Sequence, residues 1–150
     1  LRAILAEPEV ARWWAPRGAD GAVDGLFEEG EDVYAIVVGG AVVGAIEYDE
    51  QNEPDYRRAG IDIFLDAAHQ GRGLGNDAIR TMARHLFEVR GHHRLTIDPA
   101  IANERAIRAY ARVGFRPVGI MRAYERGAEG KWHDALLMDL LPGDLTAEVK

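Results

Sequence analysis

The chain contains no cysteine and no serine. The first absence removes disulfides and thiolate metal ligands and leaves the redox compartment undetermined. Together the two remove the usual covalent nucleophiles, because the only hydroxyls besides tyrosine belong to Thr81, Thr96 and Thr146. No apolar run approaches the roughly 20 residues that cross a bilayer, and no signal peptide is visible, so cytoplasm is the default expectation. His69, His85, His92, His93 and His133 include no His-Glu-x-x-His pair. His92 and His93 follow Gly91 at an expected helix end, where a cation complements the dipole, and no metal is assigned.

Positive charge is also scarce, with 18 Lys and Arg against 25 Asp and Glu and a net charge of −7. An acidic chain repels nucleic acid and anionic membranes in bulk and attracts cationic ligands. The acids are clustered: Glu28, Glu29, Glu31 and Asp32 form one group, and Glu47, Asp49, Glu50, Glu53 and Asp55 form a run without a base. Such a run reads either as a solvated loop or as a collar for a polyamine. The 150 residues, 47% of them hydrophobic, suit one domain over 1–150 with a substantial core.

What the chain does have is a glycine-laden turn between a strand and a helix. Over Gly60–Ala67, Asp62, Phe64 and Asp66 share one face and Ile61, Ile63 and Leu65 the other. Gly71, Gly73 and Gly75 follow at alternate positions. Leu74, Ala78, Ile79, Met82, Leu86 and Val89 then recur at helical spacing. The amides of residues 71–76 are thus expected to point outward at a helix N-terminus, an anion site suited to phosphate. A P-loop is excluded by the missing Lys-Ser/Thr, and a dinucleotide fingerprint by the glycine spacing and Asn76.

Around that unit the pattern predicts a short helix over 2–14 interrupted at Pro8, and a loop over 16–32 with a short helix near Val23–Glu29. A hairpin of Tyr34–Val38 and Ala41–Tyr48 turns at Gly39-Gly40. The acidic residues 49–55 are read as a loop. Beyond the central helix come a strand Arg94–Asp98 and a helix 104–113 capped by Asn103 and stopped by Gly114. Phe115–Arg126 and Lys131–Leu141 form a hairpin, and the chain from Pro142 reads as a frayed tail.

Gln70-x-x-Gly73-x-Gly75 resembles the pyrophosphate-binding motif of the GNAT N-acetyltransferase superfamily. The order of Gly60-Ile61-Asp62, that motif, Thr96-Ile97-Asp98-Pro99 and Asn103-x-x-Ala106-Ile107-Arg108-x-Tyr110-x-x-x-Gly114-Phe115 extends the likeness over about residues 10–140. Within the superfamily the chain is most similar to aminoglycoside 6′-N-acetyltransferases, enzymes of antibiotic resistance. The resemblance implies an α/β (α+β) GNAT fold, with a central mixed twisted sheet flanked by helices and splayed strands forming the acetyl-CoA cleft. It places the family's first strand before Leu1, and it allows a homodimer.

The same resemblance implies roles for individual residues. Ile63, Phe64 and Leu65 pair with the pantetheine arm, and Gln70, Gly71, Arg72, Gly73, Leu74, Gly75 and Asn76 hold the pyrophosphate. Asn103 bonds the pantetheine, Ala106 lets it pass, and Tyr110 lies near the thioester sulfur. Asp62 and Asp98 face the acceptor amine, with Trp14, Glu47 and Asp49 as further substrate contacts. Each residue also has a plainer role open to it: Asn103 as a helix cap, Tyr110 as a core ring, Asp98 as a turn residue. Asp62 is hardest to explain plainly, since a carboxylate among apolar strand neighbours is costly unless paired or functional. With no Ser or Cys nucleophile, transfer is expected to be direct, with Asp62 as base or ammonium anchor and Tyr110 as acid. The implied acceptor is a polycationic amine such as an aminoglycoside. Another small amine or a protein N-terminus, or a CoA-sensing module without turnover, remains open.

Overall fold

A computed structural model describes residues 1–14, 18–26 and 31–147, with the backbone alone described at Glu31. The helices are α1 (Arg2–Leu5), α2 (Pro8–Trp14), α3 (Ala19–Leu26), α4 (Leu74–Glu88) and α5 (Glu104–Val113). The strands are β1 (Glu31–Val38), β2 (Ala41–Gln51), β3 (Arg58–Leu65), β4 (Leu95–Ile97), β5 (Arg116–Arg126) and β6 (Trp132–Leu140). They form one six-stranded sheet in the order β1-β2-β3-β4-β6-β5, antiparallel except where β3 meets β4. The mixed α/β class expected from the sequence is the one observed.

The two faces of the sheet carry separate apolar clusters, as the period-2 alternation of the strands requires. Ile46, Tyr48 and Ile61 pack with Ile79, Met82 and Leu86 of α4 and with Val113 and Phe115 at the end of α5. Ala45 and Phe64 pack instead with Ile4, Leu5, Val10 and Leu26 from α1, α2 and α3. Leu86, Leu95 and Leu140 are fully buried, and each contributes about 1.5–3 kcal/mol by leaving water. Val89, placed on the α4 stripe by spacing, is 71% exposed, because the helix ends at Glu88 and the chain then turns away.

Two expectations fail for physical reasons. The acidic residues 49–55 are not all loop: β2 continues to Gln51, with Asp49 opposite Gly60 and Glu50 opposite Ala59. Glu50 is held inside an ion cluster, its carboxylate 2.6 Å from the Arg90 guanidinium and 2.5 Å from His92 Nε2. The chain from Pro142 is not frayed. Thr146 N–H donates to the Val113 carbonyl at 2.9 Å and its hydroxyl donates to that of Arg112 at 2.7 Å. These are carbonyls that the end of α5 leaves unsatisfied. Gly114 permits the contact, since a Cβ there would lie 2.0 Å from the Asp144 carbonyl oxygen. The expected helix Val23–Glu29 is observed as Ala19–Leu26, and Glu28 and Glu29 lie outside the described residues. Among the described residues, no helix is long and apolar enough to cross a membrane.

Candidate active site

Everything chemically notable gathers where β3 and β4 part. The two strands pair in parallel only at Ala59–Leu95 and Gly60–Thr96. β4 stops at Ile97, before Asp98-Pro99, while β3 runs on to Leu65. The far half of β3 therefore presents a strand edge with no partner strand on that side. A cleft of about 590 Å³ opens there, walled by Ile63–Leu65, the glycine turn, the α5 face from Asn103 to Tyr110, and Trp13 and Trp14. A second cleft of about 330 Å³ lies beside it, lined by Asp49, Arg58, Asp62, Arg94, Asp98, Met121 and Tyr124. Asp62 and Ile97 belong to both, so the two clefts adjoin at these residues.

The glycine turn is built as an anion cradle. Gly73 caps α4 in the left-handed region (φ 81°), and no side chain satisfies the cap. The amides of the first turn stay available for a ligand at the positive end of a helix spanning Leu74–Glu88. Gln70 braces this turn: its amide donates to the Leu65 carbonyl at 3.0 Å and its oxygen accepts from Arg105 at 3.4 Å. Of the cradle residues inferred from the sequence, Gln70, Gly71, Gly73, Gly75 and Asn76 line the large cleft, whereas Arg72 and Leu74 do not. Arg105 of α5 lines the cleft against Gly71 and Gln70, with Arg108 and Arg112 of the same helix also in the lining. Sequence reasoning missed Arg105, although it follows the cap residue Asn103 by two positions and therefore shares the turn that faces the glycines.

Asn103 fills its plain role, accepting the Ala106 N–H at 3.2 Å, and it also lines the cleft with Ala106. Trp14 stands at the strand edge itself. Its indole N–H donates to the Ile63 carbonyl at 2.8 Å and its ring meets that of Phe64 edge-on at 4.7 Å. With the Gln70 bond to Leu65, two carbonyls of β3, those of Ile63 and Leu65, are thus already engaged by side chains. Phe64 contributes backbone to the cleft while its ring is buried beneath Trp14.

In the smaller cleft Asp98 is part-buried and accepts a 2.7 Å hydrogen bond from the Tyr124 hydroxyl. Burial, and after it the neighbouring Asp49 carboxylate, raise the Asp98 carboxyl above its ordinary range against the opposing Tyr124 bond. The Tyr124 phenol is pushed up to about 12, first by that hydrogen bond and then by burial. Tyr110 is raised well above the ordinary phenol range, first by burial and then by the fields of Asp62 and Asp98. It stays protonated throughout the physiological range. Asp49 pairs with Arg58 at 3.3 Å, and Arg94 pairs with Asp139 at 3.3 Å. Glu47 lies opposite Asp62 in the β2–β3 register and outside the lining of either cleft. Asp62, Asp98, Asp49 and Tyr110 are thus brought together as expected. Tyr124 and Arg58 join them without having been foreseen.

Comparison with known proteins places this geometry in a family. The model of the acetyltransferase (GNAT) family matches residues 4–115. Spermine/spermidine N(1)-acetyltransferase of Bacillus subtilis is 36% identical over 61% of this chain and 57% of that protein. Streptothricin acetyltransferase of Streptomyces lavendulae is 30% identical over 93% of this chain and 75% of that protein. Aminoglycoside N(6′)-acetyltransferase type 1 of Klebsiella pneumoniae is 37% identical over 48% of this chain and 35% of that protein. The chain thus matches little more than half the length of the Bacillus relative. A crystal structure of a candidate acetyltransferase superposes with a TM-score of 0.83 over 95% of this chain and 79% of that one, at 25% identity.

Proposed function

Given that the chain belongs to the acetyltransferase (GNAT) family, we propose that it is an acetyl-CoA-dependent N-acetyltransferase acting on a primary amine of a small polycation. One observation carries the reading. The carboxylates of Asp49, Asp62 and Asp98 line a cleft that opens, at Asp62, onto an unpartnered strand edge ending in an anion cradle.

The large cleft fits the cofactor's chemistry. The uncapped α4 N-terminus and Arg105 suit a diphosphate, and the β3 edge from Ile63 to Leu65 suits an amide-bearing arm. Bound acetyl-CoA would supply the acyl group as an activated thioester. Amine binding falls to Asp62 and Asp98, which hold an ammonium at the junction of the clefts. Free aspartate, with a pKa of about 3.9, is a weak base towards an ammonium of roughly 9–10. Asp62 therefore anchors the amine and relays its proton to water. Tyr110 Oη, kept protonated by burial and by the two carboxylates, gives its proton to the departing sulfur. With neither Ser nor Cys in the sequence, direct transfer is the expected route.

Within this class the aminoglycoside 6′-amine is the acceptor towards which the sequence motifs lean. The Bacillus and Streptomyces relatives, named for spermine/spermidine and streptothricin, support polycations in general and favour no single member. Release of CoA thiol with kanamycin, spermine and an Ala-starting peptide as acceptors tests the reading. The expected result is turnover with at least one of the two polycations and little with the peptide. Turnover with the peptide alone would favour a protein N-terminal acetyltransferase, and acetyl-CoA binding without release for any amine would favour a CoA sensor.

A further inference from the structure

Met121 and Tyr124 both line the small cleft, although they stand three positions apart on β5. In a regular strand residues at odd spacing point to opposite faces, so something re-aims one of them. The cause is a bulge. Met121 pairs with Ala135 and Glu125 with His133, leaving Arg122, Ala123 and Tyr124 of β5 opposite Asp134 alone. Within it Ala123 takes φ 49°, a left-handed conformation that is costly for a residue with a Cβ. The Asp134 carboxylate holds the bulge by accepting the Ala123 N–H at 2.8 Å. Bulges of this kind re-aim side chains beside active sites, and a strained residue persists only where its surroundings enforce it. What the bulge delivers is the Tyr124 hydroxyl, 2.7 Å from Asp98 Oδ2.

We propose that Tyr124 is a positioning residue for the acceptor: the Asp134-braced bulge sets its hydroxyl on one oxygen of Asp98, and the other oxygen is thereby oriented to take a substrate ammonium. This rests on the amine-acceptor reading above and names a specificity device within it. The titratable groups around Asp98 are Asp49 from β2, Arg58 and Asp62 from β3, Arg94 before β4, which is paired with Asp139, Tyr110 from α5 and Tyr124 from β5, while β6 presents the apolar Leu137 to the cleft. Arg58 is engaged with Asp49, and among the described residues the phenol is the side chain that donates a hydrogen bond to Asp98. Without it the carboxyl rotates, and burial beside Asp49 favours its protonated form.

Tyr124→Phe, Asp134→Ala and Val118→Thr, an exposed β5 position at the separate register shift between Pro117 and Gly119, test this in the full chain with the best polycationic acceptor. Tyr124→Phe and Asp134→Ala should each raise the acceptor KM by about tenfold or more, as expected for a lost hydrogen bond to a charged group. The KM for acetyl-CoA and the melting temperature should stay near wild type in Tyr124→Phe, and Val118→Thr should match wild type throughout. The acid limb of kcat/KM for the acceptor should also move to higher pH in Tyr124→Phe, because the hydrogen bond that opposes protonation of Asp98 is gone. An unchanged acceptor KM and acid limb in an active Tyr124→Phe enzyme overturns this inference and leaves the proposed function standing. No thiol release from wild-type protein with any amine overturns both.

Discussion

At the scale of single residues, the site divides labour between groups that look alike in the sequence. Tyr110 and Tyr124 are both tyrosines near Asp98, yet one is buried among carboxylate fields and the other is tied to Asp98 by its hydroxyl. Tyr110→Phe should therefore lower kcat about 100-fold, at the lower end of what a general acid contributes, with the KM for acetyl-CoA little changed. Equal losses in kcat and cofactor affinity would make Tyr110 a packing residue. Asp62→Asn should reduce turnover at every pH, and full turnover across the profile would remove Asp62 from the mechanism. Asp62, Asp98 and Tyr110 could be singled out in the sequence because each sits in a short motif within or just after a regular element, β3, β4 or α5. Tyr124 was not, because a bulge breaks the period-2 rule by which strand faces are assigned. Arg105 was overlooked for a different reason: spacing put it in the first turn of α5, but its approach to Gly71 comes from packing across two elements.

At the scale of elements, two junctions matter. The first is the Gly73 cap of α4. Gly73 has open space around its Cβ position, so Gly73→Ala meets no clash and its cost is purely the left-handed backbone, about 1–2 kcal/mol. The variant should melt slightly earlier and bind acetyl-CoA at least several-fold more weakly. Unchanged affinity in calorimetry would take the cradle out of cofactor binding. The second junction ties β2 to the chain after α4 through Glu50, Arg90 and His92. The Arg90 hydrogen bond, and after it the His92 contact, hold the Glu50 carboxyl below its usual range despite burial. A depressed carboxyl contributes stability above its unfolded pKa of about 4.3 and loses it as pH falls through the lower folded value. Thermal melts should show stability declining below about pH 4, and Glu50→Gln should flatten that decline while lowering stability at neutral pH. The acidic run concealed this junction, since composition alone could not tell a solvated loop from a strand with one carboxylate turned inward.

At the scale of the whole molecule, the fold is a sheet with a helical layer on each face, and its function follows from one break in that sheet. The element order and both hairpins could be read from turn residues and periodicity. The docking of residues 144–146 against α5 could not, because Pro, Gly and Asp there suggest coil until the carbonyls they satisfy are known. The two apolar clusters meet across β3, which supplies Ile61 to one and Phe64 to the other and keeps its far edge free of a strand. Under the proposed function, that edge, the α4 cradle and the carboxylates of Asp62 and Asp98 would make one continuous path from diphosphate to amine. Isothermal calorimetry of acetyl-CoA with the full chain tests this most directly. Saturable binding is expected with a dissociation constant of roughly 1 μM to 1 mM, the range common for enzyme substrates, and it should weaken in Gly73→Ala. A properly folded sample that gives no binding heat at any temperature tried would contradict the account.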